Sequence, residues 1–278
     1  MKELQDIFSL KGGIYVITGG AGLIGKKHAE AVLIGGGVPV LVDINDDALQ
    51  GAVMVLHDQF PDAVIESYNV DITNKQALES LRNELHKKYG RIDGLINNAA
   101  NNPKVEAASK NLQPIQFHNF PLDLWNDDLA VGLTGAMLCA QVFGCYMAEQ
   151  NKGVILNISS DYGLIAPNQS IYRKEGLKEE EQIVKPVSYS VVKHGIIGLT
   201  KYLAVYWAQN GIRVNTLCPA SLENRQDAEF ISKISNLIPM GRMSRPDEYI
   251  GTVLYMLSDA TSYMNGATVV LDGGRTIW

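Results

Sequence analysis

Seven short apolar, β-branched runs recur along the chain, and that rhythm limits the fold more than any other feature. They lie at 14–18, 38–43, 64–70, 92–96, 154–159, 212–217 and 268–271. Each run is continuous rather than alternating, the pattern of a parallel strand buried on both faces. Segments of helical period separate them, at 22–35, 46–59, 74–89, 122–150, 187–209 and 246–258. Strand alternating with helix builds βαβ units. The expectation is an α/β fold: a doubly wound, parallel seven-stranded sheet with helices on both faces, Rossmann-like. Gly90, Gly153 and Gly211 fall between a helix and the next strand, where helix C-caps are expected. A length of 278 residues suits one such domain over 1–278.

Charge and cysteine content remove several function classes. The net charge is −6, and no stretch combines clustered Lys and Arg with aromatics, so nucleic acid is not an expected partner. Cys139, Cys145 and Cys218 show neither metal-ligand spacing nor an even disulfide framework. They fit a reducing cytoplasm, and no metal is expected. The histidines show no metal spacing either; His118 and His194 are read as structural. The first ten residues are charged and carry no apolar run, so they do not read as a signal peptide. Residues 130–148 carry no charge and are long enough to span a bilayer. They include Gly132, Gln141 and Gly144 and lack a basic flank. The reading preferred is a helix covered on both faces, by the sheet and by a second subunit of a homo-oligomer, with no membrane partner.

The first strand leads into Thr18-Gly19-Gly20-Ala21-Gly22-Leu23-Ile24-Gly25 and then a helix. Glycines there let backbone approach a pyrophosphate, and the helix N-terminus offers free N–H groups. A tight strand-to-helix turn needs the same residues, so the context of strand, turn and helix carries the assignment. Asp43 ends the second strand, eighteen residues after Gly25. A carboxylate there accepts from ribose hydroxyls and repels a 2′-phosphate, which favours NAD over NADP. Lys26 and Lys27 are the residues that could instead reach a phosphate. The cofactor-binding half is expected over about 10–160, and substrate-side loops over about 101–121, 163–186 and 218–240.

Tyr189 and Lys193 are four apart on an expected helix, so they share a face. An ordinary phenol titrates near 10. An adjacent ammonium and the charge of an oxidised nicotinamide are expected to lower that value. Tyr189 can then exchange a proton with a substrate hydroxyl as hydride moves.

Six motifs in order resemble the short-chain dehydrogenase/reductase family, single-domain branch, over nearly the whole chain. Asn97-Asn98-Ala99-Ala100 resembles its Asn-Asn-Ala-Gly run, which places Asn98, Ala99 and Ala100 beside the cofactor. Asp71, with Ile72 next to it, matches the aspartate near the adenine. Asn157-Ile158-Ser159-Ser160 matches the strand end that carries the catalytic serine. Tyr189-Ser190-Val191-Val192-Lys193 matches Tyr-x-x-x-Lys. Pro219 and Asp272-Gly273-Gly274 complete the set. The resemblance implies that Ser160 holds the substrate oxygen, that Lys193 also binds the nicotinamide ribose, and that the chain is a tetramer or dimer. The stretches 166–169 and 185–189 are similar to members encoded with bacterial surface-sugar pathways, such as flagellin glycans, which implies a sugar-like small-molecule substrate.

Four departures qualify this picture. Leu23 stands where single-domain members have glycine, a spacing that resembles the branch acting on nucleotide sugars. Gly132 stands where the family has an asparagine that helps hold a relay water. Ser160 and Tyr189 are twenty-nine residues apart instead of roughly a dozen, so 163–186 must bulge out as part of a lid. Within it Arg173, Lys174 and Lys178 could meet an anionic substrate or simply be solvated. Ala220 replaces the glycine after Pro219. The expected function is an NAD(H)-dependent alcohol/ketone oxidoreductase. Two alternatives remain: a catalytically weakened NAD-binding sensor or subunit, suggested by Gly132, and a sugar epimerase or dehydratase that recycles NAD, suggested by the glycine spacing.

Overall fold

Successive residues of each strand point to opposite faces of the sheet, and each face meets its own core. Val16, Val40, Val42 and Ile155 pack into one cluster, and Ile17, Leu41, Leu156 and Ile158 into the other. This two-sided burial is why the runs are continuously apolar. The computed structural model describes residues 3–101 and 115–278. The strands are β1 (Ile14–Thr18), β2 (Val38–Asp43), β3 (Glu66–Asn69), β4 (Gly94–Asn97), β5 (Gly153–Ile158), β6 (Ile212–Pro219) and β7 (Thr268–Leu271). All pair in parallel, in the order β3-β2-β1-β4-β5-β6-β7. The chain reverses its direction of travel between β1 and β4, and a crevice opens there at the carboxyl ends of the strands.

Helices α1 (Leu23–Ile34), α2 (Asp46–Gln59) and α7 (Ile250–Leu257) cover one face. Helices α3 (Lys75–Tyr89), α4 (Leu122–Glu149) and α5 (Val187–Tyr206) cover the other. On α4, Cys139, Ala140, Val142, Phe143 and Met147 are buried in the sheet core, while Thr134, Gln141 and Cys145 are exposed. One of its two expected faces is therefore covered within the chain.

Several local expectations change. Gly90 and Gly211 are left-handed caps, but Gly153 is not; it opens β5, and Asn151 takes the positive φ instead. Gly153 is small because a Cβ there would lie 2.5 Å from the Met147 sulfur. Helix α4 is not uniformly α-helical but widens into π-helical turns at Ala130–Gly135 and Ala140–Gly144. The glycines in those turns meet large neighbours: Gly132 meets Val192, Gly135 meets Ile72, and Gly144 meets Trp207. Strand β3 is shorter than expected because its polar residues alternate along a sheet edge. A helix not expected from the sequence, α6 (Ala228–Ser235), lies within the third loop and is capped by Asp227. Most of the loop expected over 101–121 lies outside the described residues.

Candidate active site

The glycine loop is closed by side chains from two strands. Thr18 Oγ accepts from the N–H groups of Asn98 (3.0 Å) and Ala99 (3.1 Å). The Asn98 amide donates to the carbonyls of Thr18 (3.0 Å) and Gly19 (3.1 Å). Asp43 accepts from Ala21 N–H at 3.2 Å. Glycine is required by the space as well as the turn. A Cβ on Gly19 would lie 3.0 Å from the Ala99 Cα, and one on Gly25 would run into the Gly19 carbonyl oxygen. The result is a backbone cradle at the N-terminus of α1, with Asp43 beside it, and these residues fit a dinucleotide. Lys27 is turned aside into an ion pair with Glu30.

Below the cradle a cavity of about 580 Å³ continues past the ends of β4, β5 and β6, within the ordinary size of a small-molecule site. Gly19, Gly22, Leu23, Ile24, Gly25, Asp43, Asn98, Ala99, Ala100, Pro219, Ser160, Tyr189 and Lys193 all line it. Thr18 stands behind the cradle, 1% exposed. Ile72 packs in the core against Gly135, and Asp71 turns to the N–H and hydroxyl of Thr73. Neither Asp71 nor Ile72 is among the lining residues. Arg173 and Lys174 do line the cavity, Arg173 being paired with Glu179, whereas Lys178, His118 and His194 do not.

A buried polar network fixes the floor. Asn97 donates to Asn157, Asn157 to Thr200 and Thr216 to Thr200, which ties β4, β5 and β6 to α5. Ser159 donates to the Lys193 carbonyl at 2.7 Å. The Lys193 ammonium donates to the Ile158 carbonyl at 2.9 Å and lies 5.7 Å from the Tyr189 ring centroid. Burial and the nearby Lys185 pull Lys193 down to about 8. The lowering expected for Tyr189 included the charge of an oxidised nicotinamide, and within the protein alone the balance runs the other way. Burial pushes its hydroxyl up to about 12, against a Ser160 hydrogen bond that lowers it, and Asp161 and Tyr162 add to the rise. Desolvation is the largest of these causes.

Three site residues escaped the sequence reading. Lys185 places its ammonium 3.8 Å from the Tyr189 ring centroid, and burial lowers it to about 8. Asp161 is 2% exposed and accepts from Ser160 Oγ at 2.7 Å. Asp128 accepts from the buried Ser188 hydroxyl next to Tyr189. The signal for Asp161 was present: a carboxylate directly after a strand end that carries a candidate serine. Lys185 and Asp128 gave none, because loop course and helix rotation decide where they point.

Gly132 is explained by its neighbour. A Cβ there would lie 2.5 Å from Val192 Cγ1, so Val192 fills the space that an asparagine side chain would need.

Comparison with known proteins agrees with this geometry. Residues 13–173 match the short chain dehydrogenase family, and 177–276 match a family described as enoyl-(acyl carrier protein) reductase. The chain is 28% identical to D-threitol dehydrogenase of Mycolicibacterium smegmatis, across 100% of both. It is 29% identical to post-translational flagellin modification protein A of Campylobacter coli, covering 95% of this chain and 98% of that one. The crystal structure of a gluconate 5-dehydrogenase from Burkholderia cenocepacia, in complex with NADP and tartrate, superposes with a TM-score of 0.83. Its identity is 25%, and the match covers 99% of this chain and 100% of that one.

Proposed function

The chain belongs to the short-chain dehydrogenase/reductase family of oxidoreductases, which act on alcohols or ketones with a nicotinamide cofactor, and on that footing we propose that it interconverts a hydroxyl and a keto group on a sugar-like substrate, with NAD preferred over NADP. The observation that carries this is the convergence of Ser160, Tyr189 and Lys193 on the cavity that the glycine cradle opens into. A bound nicotinamide supplies or accepts hydride and, when oxidised, brings a positive charge. Tyr189 exchanges the proton at the substrate oxygen, and Ser160 lies beside that oxygen. Lys193 is anchored by Ile158, with its ammonium 5.7 Å from the Tyr189 ring centroid, and would hold the nicotinamide ribose. With the protein alone holding Tyr189 at about 12, the cofactor's charge is what brings the phenolate within reach. Asp43 beside the cradle supports NAD, since its carboxylate would repel a 2′-phosphate.

Val192 bears on the sensor alternative. The missing asparagine is matched by a filled space, which is the mark of an adjusted site rather than a decayed one. The exposed side of α4 supports a homo-oligomer, dimer or tetramer, with the free cysteines suiting a cytoplasmic setting.

The test is absorbance of NADH, with NADP in a parallel assay, using D-threitol, glycerol and gluconate as probes. NAD-linked turnover is expected with at least one. Tyr189→Phe should lower kcat by about 10²–10⁴-fold. Intact turnover in that variant would reject the mechanism.

A further inference from the structure

Two glutamines hold the insertion between Ser160 and Tyr189, and each grips the main chain of a lysine that lines the cavity. The Gln182 side chain, 6% exposed, accepts from the Lys174 N–H at 2.9 Å and donates to the Lys174 carbonyl at 3.0 Å. The Gln169 side chain accepts from the Lys185 N–H at 2.9 Å and donates to the Lys185 carbonyl at 3.4 Å. A primary amide can accept and donate at once, so one side chain satisfies both main-chain groups of its lysine. The insertion therefore presents Lys174 and Lys185 to the cavity from anchored backbone.

Lys185 is the one set against the catalytic phenol. Its half-buried ammonium lies over the Tyr189 ring, 3.8 Å from the centroid. Burial pulls it down to about 8, although Asp161 and Asp128 act to raise it. Those carboxylates do not offset the cost of desolvating the charge, and an anion entering the cavity would add to them. The carboxylates that line the substrate side are themselves engaged. Asp161 accepts from Ser160 and Tyr162, Asp227 caps α6 through the Phe230 N–H, and Glu229 pairs with Lys233. Arg173 is paired with Glu179, whereas Lys174 enters no ion pair among the described residues.

We propose that the insertion selects substrates carrying an anionic group, a carboxylate or a phosphate ester, which Lys185 binds directly while Lys174 adds positive charge to the same cavity. This rests on the oxidoreductase reading above and narrows its sugar-like substrate to an acidic or phosphorylated one. A carboxylate or phosphate oxygen accepts from an ammonium at about 2.8 Å. With the Lys185 ammonium against the Tyr189 ring, the anionic group is then carried close to the carbon that reacts.

Matched ligand pairs test this without turnover. Tartrate differs from D-threitol in having carboxylates at the chain ends, and glycerol 3-phosphate differs from glycerol in one phosphate ester. Calorimetry at neutral pH with NAD+ present should show, in at least one pair, the anion binding about tenfold or more tighter than its neutral partner. The pair that responds tells a carboxylate from a phosphate. Lys185→Met should bring that ratio to within about threefold of unity, and Lys185→Arg should keep most of it. Anions that bind no tighter than their neutral partners, or a preference that survives Lys185→Met, overturn the proposal. Should Lys185→Met fail to fold, the exposed Lys174 decides in its place. Lys174→Met should lower the preference about threefold, and an unchanged preference overturns the proposal. Loss of NAD-linked turnover rejects the oxidoreductase reading, whereas these ratios are read from binding alone, so the two failures are distinguishable.

Discussion

The two sides of the cavity are built differently. On the cofactor side backbone lies against backbone: the Gly19 and Gly25 positions have no room for a Cβ, and Thr18 and Asn98 bind main-chain groups. On the substrate side, side chains hold loops. The buried Gln182 amide binds both main-chain groups of Lys174 and the Leu177 carbonyl. Ile171 of the insertion packs with Ile234 and Ile238 in a small separate core. A backbone site has one workable residue at each contact, whereas a side-chain site can be retuned one residue at a time.

The comparison predicts its own largest effect at Gly25. Gly25→Val places two methyl groups where the Gly19 carbonyl already crowds a Cβ. NAD affinity, measured by calorimetry, should drop about 1,000-fold, or about 4 kcal/mol. Affinity within tenfold of wild type would show that close backbone approach is not what the cradle supplies.

His28, on α1 beneath the cradle, gives the same side a pH limit. It is fully buried, and burial pulls it down to about 4. The unfolded chain takes that proton near 6.5, so acid favours unfolding. Stability present above pH 6.5 should be lost as pH falls toward 4, by about 3 kcal/mol from this group. Urea melts at pH 7 and 4.5 read it as the difference from His28→Gln. Equal acid sensitivity in both chains would assign the loss to carboxylates elsewhere.

The same contrast explains what could be read from sequence. Apolar runs, the caps at Gly90 and Gly211, and the glycine loop are backbone requirements, and they leave residue types behind at fixed spacings. Tyr189 and Lys193 were legible because one helical turn puts them on one face, whereas Ser160 came from the family resemblance at the strand end. Contacts between distant side chains leave no such trace. The fit of Gly132 to Val192 joins residues sixty apart, and only the packing of α4 on α5 shows that one is small because the other is large. Helix α6 did carry a signal, with Asp227 as cap and Phe230, Ile231 and Ile234 on one side, but eight residues inside a loop are a short pattern. The raised Tyr189 hydroxyl was missed because spacing counts charges and does not weigh burial.

Gly132→Asn tests that hidden fit. Overpacking against Val192 should cost about 2 kcal/mol in urea unfolding. Adding Val192→Ser should recover most of it by vacating the space. A single variant as stable as wild type would mean that the π-helical turn of α4 absorbs the side chain.

The smallest effect belongs to the substrate side. Gln182→Ala removes three hydrogen bonds that tie Lys174 and Leu177 to the insertion. Most of this insertion is exposed, so water can replace the lost partners, and the global cost should be only about 1 kcal/mol. The loop that carries Arg173 and Lys174 along the cavity should loosen, raising KM about fivefold, an ordering cost of about 1 kcal/mol. Affinity for NAD should stay within twofold, because no Gln182 contact reaches the cradle. Steady-state kinetics and NAD calorimetry on the same preparation separate the two quantities. A parallel loss of both would show that the insertion and the cradle are one mechanical unit, and the division between a backbone-built and a side-chain-built side would fail.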